Sequence, residues 1–562
     1  MKTILYNNKM KYPSPILLGI LGLCAALNAF AAETNLPAII PLPARIEARA
    51  GAFRLRPGTR IVVDSASRET GEFLAQRLRQ ATGYKFPIRA SDQTQPVKRA
   101  ILLAAGGLPS GGGAEAYQLT VAPDSIVLRG SNQTGLFWGV QSLLQLLPPE
   151  ALADKPAKGK DWNIPCVQIE DQPRFAWRGF MLDVSRHFFT KEEVKQFLDL
   201  MALYKLNTFH WHLVDSDGWR IEIKKYPRLT EIGAWRSDIG YKLDPKSSTA
   251  YGADGRYGGF YTQADIREVV AYAQARHVTI VPEIEMPGHS RAALSAYPEF
   301  SCTGGPYSTD PDKSSGLGVY CAGKDESFEF LQNVLTEVFD LFPGKYIHIG
   351  GDEVNKDSWK KCDRCQARMK AEGLKNEEEL QSYFIRRMEK FINAHGRTLI
   401  GWSEIRQGGL AESAVVMDWI GGGLESAGDG HDVVMSPEQF CYLDHWQSTN
   451  HAAEPRAFGK SGPKWNLPWP KVYAYEPVPA GLDPRLQSHI LGAQGNLWTE
   501  LVASMSHAEY MAFPRLCALS EVTWSPQASR DEADFRRRLD PQLRRFDCLG
   551  VNYHKVASAG SE

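Results

Sequence analysis

The chain has 562 residues, of which 43% are hydrophobic and 23% are charged, and its formal net charge is -1. This length exceeds one ordinary domain, and the composition is that of a folded globular protein. The nearly neutral charge argues against a nucleic acid or an anionic membrane surface as a partner, because both favour an excess of lysine and arginine.

The first 31 residues have the pattern of a signal peptide. Three lysines precede an apolar run at 16–30, and Ala29-Phe30-Ala31 has the small-x-small form of a cleavage site. The run is short for a membrane-spanning helix, and ordinary polar sequence follows it. We therefore expect cleavage near Ala31 and export to the periplasm or the medium, without a stable membrane anchor.

Residues 32–172 predict a small α+β domain. Short runs rich in apolar and β-branched residues predict strands at 60–63, 100–104, 117–121 and 125–128. Two stretches with helical periodicity predict helices at 71–82 and 135–147. Strand and helix do not alternate strictly here, which favours α+β over a parallel α/β arrangement.

Residues 173–562 change to a repeated strand-then-helix pattern. Strands are predicted at 179–183, 208–214, 278–284, 346–350, 398–402, 415–419, 433–436 and 489–493, with amphipathic helices at 191–204, 263–277, 326–342 and 377–395. This order predicts an α/β fold, a (β/α)8 TIM barrel catalytic domain with a C-terminal helical segment. The doubly wound sheet is the alternative, but the Gly-rich nucleotide fingerprint that it requires is absent. We expect no cofactor.

The cysteines leave the redox state open. Cys362-Asp363-Arg364-Cys365 has the spacing of half a zinc site, but no second close pair completes four ligands. A local disulfide or two free thiols is the favoured interpretation. Cys302 and Cys321 flank a loop rich in Gly, Ser and Pro and are a plausible disulfide in an exported protein. We therefore expect no metal site.

The end of the fourth barrel strand carries the clearest chemical signal. Residues 347–354, Ile-His-Ile-Gly-Gly-Asp-Glu-Val, predict a short buried strand that opens into a glycine turn and two adjacent carboxylates. Two neighbouring acids invite unequal pKa values. Acids, aromatics and an arginine recur at the other strand ends: Asp183, Arg186, His187, Asp215, Glu283, Glu285, His289, Trp402, Glu404, Asp418, Trp419, Tyr442, Asp444, Trp498 and Glu500. This combination indicates a sugar site.

Several long motifs, in order along the chain, resemble glycoside hydrolase family 20, the family of the β-N-acetylhexosaminidases. They lie at 178–187, 210–219, 282–289, 348–354 and 496–500. The α+β segment before the barrel is similar to the domain that this family carries there. The resemblance implies exo-acting, retaining hydrolysis of terminal β-linked N-acetylhexosamine, GlcNAc or GalNAc, from oligosaccharides or glycoconjugates.

The resemblance also implies substrate-assisted catalysis, in which the 2-acetamido oxygen of the sugar attacks the anomeric carbon and forms an oxazolinium intermediate. Glu353 would be the general acid and later the base. Asp352 would orient the acetamido group and stabilise its developing positive charge. Tyr442 would hydrogen-bond the acetamido carbonyl oxygen.

The remaining residues are expected in binding and supporting roles. The resemblance implies that Trp402, Trp419 and Trp498 form an aromatic box, and that Arg178, Asp444 and Glu500 hold the ring hydroxyls. Asp215 and His289 would support Glu353 in a relay, with Glu285 behind His289. The sequence has Ser216 where a second aspartate is commoner in the family.

Three alternatives remain open. A metal-dependent amidohydrolase would use His210-x-His212 as ligands, although we favour packing and hydrogen bonding for these rings. A non-catalytic glycan-binding barrel would keep the aromatic box without the acid. A disaccharide-releasing enzyme of the same family would differ in loop lengths around the pocket. The sequence does not indicate an oligomeric state.

Overall fold

The computed structural model describes residues 36–91, 95–108, 113–237, 255–310, 316–459 and 462–556. The predicted signal peptide and its cleavage site lie outside these ranges. Within them, no helix is long and apolar enough to cross a membrane.

The N-terminal part is a mixed sheet with two helices. The seven strands are ordered β1-β7-β5-β6-β4-β2-β3, with parallel pairing among β2, β3, β4 and β6 and antiparallel pairing around β1, β5 and β7. Their bounds are β1 Arg45–Arg54, β2 Arg60–Val63, β3 Ile88–Ala90, β4 Ala100–Ala105, β5 Tyr117–Ala122, β6 Ser125–Gly130 and β7 Asn163–Asp171. Helices α1 (Arg68–Thr82) and α2 (Gln133–Leu146) pack on this sheet. The predicted α+β domain is confirmed.

The C-terminal part is a closed parallel barrel of eight strands, ordered β14-β15-β16-β17-β18-β19-β8-β9. The strands of this part are β8 Trp177–Asp183, β9 Thr208–His212, β10 Val214–Asp215, β11 Gly218–Trp219, β12 Trp235–Arg236, β13 Tyr257–Gly258, β14 Thr279–Glu283, β15 Tyr346–His348, β16 Thr398–Trp402, β17 Val415–Asp418, β18 Val433–Met435 and β19 Ile490–Leu497. Strands β10 to β13 form two short antiparallel pairs outside the barrel wall. The predicted (β/α)8 TIM barrel is confirmed.

Helices surround this barrel and continue to the C-terminus. They are α3 Lys191–Leu203, α4 Arg228–Glu231, α5 Gln263–Gln274, α6 Arg291–Ala296, α7 Asp325–Leu341, α8 Asp357–Lys360, α9 Asp363–Glu372, α10 Glu377–Ala394, α11 Gly423–Gly428, α12 Glu438–Cys441, α13 Trp469–Tyr473, α14 Pro484–Gln487, α15 Met505–Ala512, α16 Arg515–Trp524 and α17 Glu532–Leu549.

Local sequence explains where these helices begin and which face they bury. Thr190 and Thr262 start α3 and α5 with reciprocal capping boxes, in which each threonine side chain accepts a hydrogen bond from the backbone N–H three residues on. In α7, Leu331, Val334 and Val338 recur at helical spacing and are fully buried. Such a helix therefore lays an apolar stripe on the core.

The small domain covers the end of the barrel where its strands begin. Arg178, one residue into β8, is fully buried and pairs with Glu115 of the small domain at 2.6 Å. Lys205 Nζ lies 2.9 Å from Asp171 Oδ2, and both side chains are buried. Trp524 Nε1 donates to the other Asp171 oxygen at 2.9 Å. This end of the barrel is therefore closed by a buried ionic network, and a ligand must enter at the opposite end.

Candidate active site

The turn after β15 presents two adjacent acids at the open end of the barrel. Gly350 and Gly351 have φ angles of +67° and +91°, which favour glycine. A Cβ atom on Gly350 would lie 1.9 Å from the Glu285 carboxylate. These glycines let the chain turn tightly over a buried acid and bring Asp352 and Glu353 to the pocket.

His289 connects both acids to a relay of buried side chains. Its Nε2 atom lies 3.5 Å from Asp352 Oδ2 and 3.5 Å from Glu353 Oε2. Nδ1 of the same ring lies 2.9 Å from Asp215 Oδ1. The other Asp215 oxygen lies 3.0 Å from His212 Nε2. The structure therefore brings Asp215 and His289 together beside Glu353, as the sequence predicts, and extends the relay to His212.

Glu283 ends this relay inside the barrel. It contacts His212 Nδ1, and its oxygens lie 2.9 Å from His210 Nε2 and 2.9 Å from His348 Nδ1. Trp402 Nε1 donates to it at 2.9 Å. The two histidines with metal-ligand spacing are thus both directed at this carboxylate. Sequence motifs alone assign Glu283 no role, although the period of two along β9 indicates that both histidines share one face of the strand.

Glu285 occupies a different place from the predicted one. It accepts a hydrogen bond from Gly351 N at 3.0 Å and so supports the turn that carries the acids. Across the described ranges, no hydrogen bond or ion pair joins it to His289, so its predicted place behind that ring is wrong. Burial, together with the charge of Asp352, raises the pKa of Glu285 well above its ordinary value.

Opposite pKa shifts separate the two acids of the turn. Burial raises the pKa of Asp352. The hydrogen bond with His289 lowers the pKa of Glu353, whose side chain is 56% exposed. Burial disfavours the charged form of His289, but Asp215 and Asp352 outweigh it and raise the pKa of this ring well above its ordinary value. In the free protein, a cationic His289 therefore faces an ionised Glu353.

Aromatic rings form one wall of the pocket. The ring centroids of Trp402 and Trp498 lie 5.7 Å apart, and Trp419 stacks on Tyr442 at 5.9 Å with an interplanar angle of 17°. Tyr442 also lies 6.2 Å from Trp498. Four rings thus make a continuous apolar surface, the kind on which a sugar face or a methyl group packs.

The pocket has a volume of about 390 Å³ and combines this wall with charged groups. It is lined by Arg186, Asp217, His289, Leu317, Asp352, Glu353, Trp402, Trp419, Glu438, Tyr442, Asp444, Phe458, Trp498 and Glu500. Most of the residues predicted for the site are therefore together. Asp215 and Glu285 lie behind the lining, and Arg178 is elsewhere.

The prediction that Arg178 holds a ring hydroxyl is wrong. This arginine is the second residue of β8, so it lies at the closed end of the barrel, where it pairs with Glu115. Arg186 lies beyond the other end of the same strand and lines the pocket. It lies 2.9 Å from Asp215 and 3.5 Å from Glu500. Because barrel sites form where strands end, strand direction alone could have selected Arg186.

Two further acids, Asp444 and Glu500, line the same pocket as Arg186. Burial and the charge of Glu500 raise the pKa of Asp444 well above its ordinary value. Burial also raises the pKa of Glu500, although the charge of Arg186 opposes the shift. Asp444 is buried, and in the described structure its Oδ1 atom has no hydrogen-bond partner. Such an oxygen suits a ligand hydroxyl, because it costs free energy until a donor arrives.

This fold and site define a class of protein: a glycoside hydrolase built on a TIM barrel, with paired acids and tryptophans at the strand ends. The catalytic-domain model of glycosyl hydrolase family 20 matches residues 175–527, and the model of that family's domain 2 matches residues 36–172. The chain belongs to glycosyl hydrolase family 20.

Named relatives agree with this assignment. A β-hexosaminidase of Porphyromonas gingivalis is 44% identical over 92% of this chain and 64% of its own length. The chain thus spans less than two thirds of that relative. The β-hexosaminidase of Vibrio furnissii is 38% identical over 86% of this chain and 76% of its own length.

Two solved structures cover nearly the whole chain. The family 20 β-N-acetylhexosaminidase of Streptomyces coelicolor superposes with a TM-score of 0.79 and 32% identity, over 94% of this chain and 99% of that chain. The exo-β-N-acetylglucosaminidase of Vibrio harveyi, solved in complex with N-acetylglucosamine, has a TM-score of 0.79 and 35% identity over 92% of this chain and 78% of that chain.

Proposed function

We propose that the protein is an exo-acting, retaining β-N-acetylhexosaminidase that uses substrate-assisted catalysis. Its substrates would be oligosaccharides or glycoconjugates that end in β-linked N-acetylhexosamine. The observation that carries the proposal is the position of Asp352 and Glu353, each 3.5 Å from His289 Nε2 and both lining a pocket walled by tryptophans. The named relatives and the bound N-acetylglucosamine in the Vibrio harveyi structure support it.

In the first step, Glu353 gives its proton to the glycosidic oxygen. At the same time, the acetamido oxygen of the substrate attacks the anomeric carbon and closes the oxazolinium ring. The bond between the anomeric carbon and the glycosidic oxygen breaks, and the rest of the chain leaves with the donated proton as an alcohol. Glu353 is half exposed in the free protein, so a bound sugar covers it, removes water and raises its pKa. Substrate binding thus helps this acid to take up the proton that it must donate.

Asp352 and Tyr442 control the nucleophile, which belongs to the substrate. Asp352 accepts a hydrogen bond from the acetamido N–H and stabilises the positive charge that develops there. Tyr442 donates to the acetamido oxygen and holds it near the anomeric carbon. In the second step, Glu353 removes a proton from water, and the water oxygen attacks the anomeric carbon. The oxazolinium ring opens, and the product keeps the β configuration of the substrate.

The acetamido methyl group packs on Trp402, Trp419 and Trp498, while Arg186, Asp444 and Glu500 bind the hydroxyls of a terminal sugar ring. Charged hydrogen bonds of this kind fix orientation as well as adding affinity. Because these charged groups line the same pocket as the acids, a sugar with free hydroxyls fits there. This arrangement supports exo-action.

The test compares substrates and variants. An aryl N-acetyl-β-glucosaminide should be hydrolysed with retention at the anomeric carbon, and a plain aryl β-glucoside should barely react. A thiazoline analogue of the intermediate should inhibit the wild type and bind far more weakly to Asp352→Asn and Tyr442→Phe. Rapid glucoside turnover would contradict substrate assistance. Product lengths from short chitooligosaccharides separate single-sugar release from disaccharide release.

We also propose that the protein is exported to the periplasm or medium. The proposal rests on the lysines before the apolar run at 16–30 and on Ala29-Phe30-Ala31. Cell fractionation and N-terminal sequencing of the mature protein test it. A mature chain that starts at Met1 in the cytoplasm would contradict it.

A further inference from the structure

Four cysteines from two loops meet beside the active-site end of the barrel. Cys302 and Cys321 lie between β14 and α7, and Cys362 and Cys365 lie at the start of α9. The distances are 3.7 Å for Cys302 Sγ to Cys365 Sγ, 3.8 Å for Cys321 Sγ to Cys362 Sγ and 3.6 Å for Cys321 Sγ to Cys365 Sγ. All four sulfur atoms lie within 4.8 Å of one another. We call them the four-cysteine cluster.

These separations match the edges of a metal–sulfur tetrahedron. With Zn–S bonds of about 2.3 Å, sulfur atoms at tetrahedral corners lie about 3.8 Å apart. A disulfide requires about 2.05 Å and joins sulfurs only in pairs. In the described structure all four cysteines are free thiols, and each approaches at least one other at a tetrahedral edge length. The predicted disulfide between Cys302 and Cys321 is therefore not formed.

The surrounding backbone is built to hold thiolates. Cys362 immediately precedes α9 and Cys365 lies in its first turn, where the positive end of the helix favours negative sulfur. Cys321 accepts a hydrogen bond from the backbone N–H of Gly323. A Cβ atom on Gly323 would lie 2.3 Å from the carbonyl carbon of Arg364, so glycine permits direct backbone contact between the two loops.

The sequence shows only half of this cluster. Cys362 and Cys365 have a metal-ligand spacing, whereas Cys302 and Cys321 are far apart in sequence and form no recognisable pair. The fold supplies the missing half, because the loops after β14 and β15 are neighbours at the same end of the barrel. Our expectation that no second pair completes four ligands is wrong.

We propose that the four-cysteine cluster binds one Zn²⁺ ion as a closed structural site. The four thiols lose their protons to solvent, and their sulfurs displace the waters of the ion. Because all four positions are taken by protein, this ion has no open position for substrate. Tetrahedral thiolate ligands select zinc among common divalent ions.

The ion would join the loops that carry the catalytic groups. The loop after β14 bears His289, and the loop after β15 bears Asp352 and Glu353. Tyr320, next to Cys321, donates its backbone N–H to Pro287 O at 2.9 Å. Its carbonyl accepts from Trp359 Nε1 at 2.9 Å. A metal at the cluster therefore fixes the position of His289 relative to the two acids.

Metal analysis of the purified full-length protein tests the proposal without reference to activity, so its failure is distinguishable from failure of the proposed function. Elemental analysis should find about one zinc per chain, and all cysteines should react as free thiols after denaturation with a chelator. Refolding with Co²⁺ should give a thiolate-to-cobalt absorption band. A chain with no metal, a chain whose intact mass reveals disulfides, and a chain that holds iron would each overturn it.

Variants locate the ion. Cys302→Ser and Cys362→Ser should each lower zinc content at least tenfold and lower the melting temperature. Cys548→Ser, a partly buried thiol outside the cluster, is the matched control and should keep the metal. Retention of zinc in both cluster variants would overturn the proposal. If these variants do not fold, the zinc content and cobalt spectrum of the wild type decide it alone.

Discussion

Asp215 Oδ1 lies 2.9 Å from His289 Nδ1, which fixes the orientation of the imidazole ring. With Nδ1 held by this carboxylate, only Nε2 is left to face the acids of the turn. The same contact raises the pKa of His289 well above its ordinary value against the effect of burial. The ring therefore presents a positive charge to Glu353 and Asp352.

Replacing His289 by Asn should move both limbs of the pH profile of kcat/KM to higher pH. The hydrogen bond from His289 lowers the pKa of Glu353. Burial raises the pKa of Asp352, and the positive charge of His289 opposes that rise. Without the cation, Asp352 ionises later as pH rises and Glu353 keeps its proton longer. His431→Asn, which removes a ring bonded to Ala414 O outside the pocket lining, should leave both limbs in place. A limb that moves to lower pH would contradict this role.

Glu353→Gln should lower kcat/KM for chitobiose by about 10²–10⁴-fold, because the leaving oxygen loses its proton donor. An aryl glycoside with an acidic leaving group needs less protonation, so its kcat/KM should fall less. Glu353 is half exposed, so the melting temperature should stay near that of the wild type. Steady-state kinetics with both substrates provide the measurement, and equal losses would speak against a general acid.

The two arginines at either end of β8 should behave differently. Arg186→Lys should lower kcat/KM about 10–100-fold, the effect of weakening charged hydrogen bonds worth about 1.5–3 kcal/mol. Arg178→Met removes the cation that pairs with Glu115 and the donors that satisfy two buried carbonyl groups, so it should cost about 3–5 kcal/mol of unfolding free energy with KM unchanged. Denaturant unfolding and kinetics of both variants separate these outcomes. A raised KM with normal stability in Arg178→Met would restore the sequence prediction.

Gly350→Ala should cost more stability than Gly396→Ala. Both glycines have similar φ angles, +67° and +70°, so the backbone penalty is about 1–2 kcal/mol in each. An alanine Cβ at 396 would meet no atom within 4 Å beyond its chain neighbours, whereas at 350 it would overlap Glu285. Overpacking adds about 1–3 kcal/mol. Urea unfolding and activity measure the difference, and only Gly350→Ala should also lose activity. Equal losses of unfolding free energy in the two variants would show that the Glu285 side chain moves aside at no cost, and would contradict this prediction.

Apolar periodicity locates the barrel strands but not their ends. The fifth strand is predicted at 398–402, and the observed strand β16 has the same bounds. The eighth is predicted to stop at 493, yet β19 continues to Leu497. Its last residues include Gln494 and Asn496. Because these residues are polar, the sequence pattern at this point is typical of a loop. In the fold they are buried and bonded to His210 and Ser436.

The site is predictable where one motif contains the whole feature and is missed where the feature depends on distant contacts. Asp352 and Glu353 are adjacent in sequence, so their joint position follows from one strand end. The contact of His212 with Glu283 and the four-cysteine cluster each depend on residues that neighbouring strands and loops bring together. Residue type alone does not specify such pairs.

Asp171 joins the small domain to the barrel and to the C-terminal helices. It belongs to the small domain, but it is the counter-ion of Lys205 in the barrel and the acceptor for Trp524 near the C-terminus. Removing the small domain would take away the counter-ion of Lys205 and expose to water the apolar side chains that the two segments bury together. The two segments thus have distinct folds but depend on each other for stability. We expect an active barrel only when the small domain is present in the same protein.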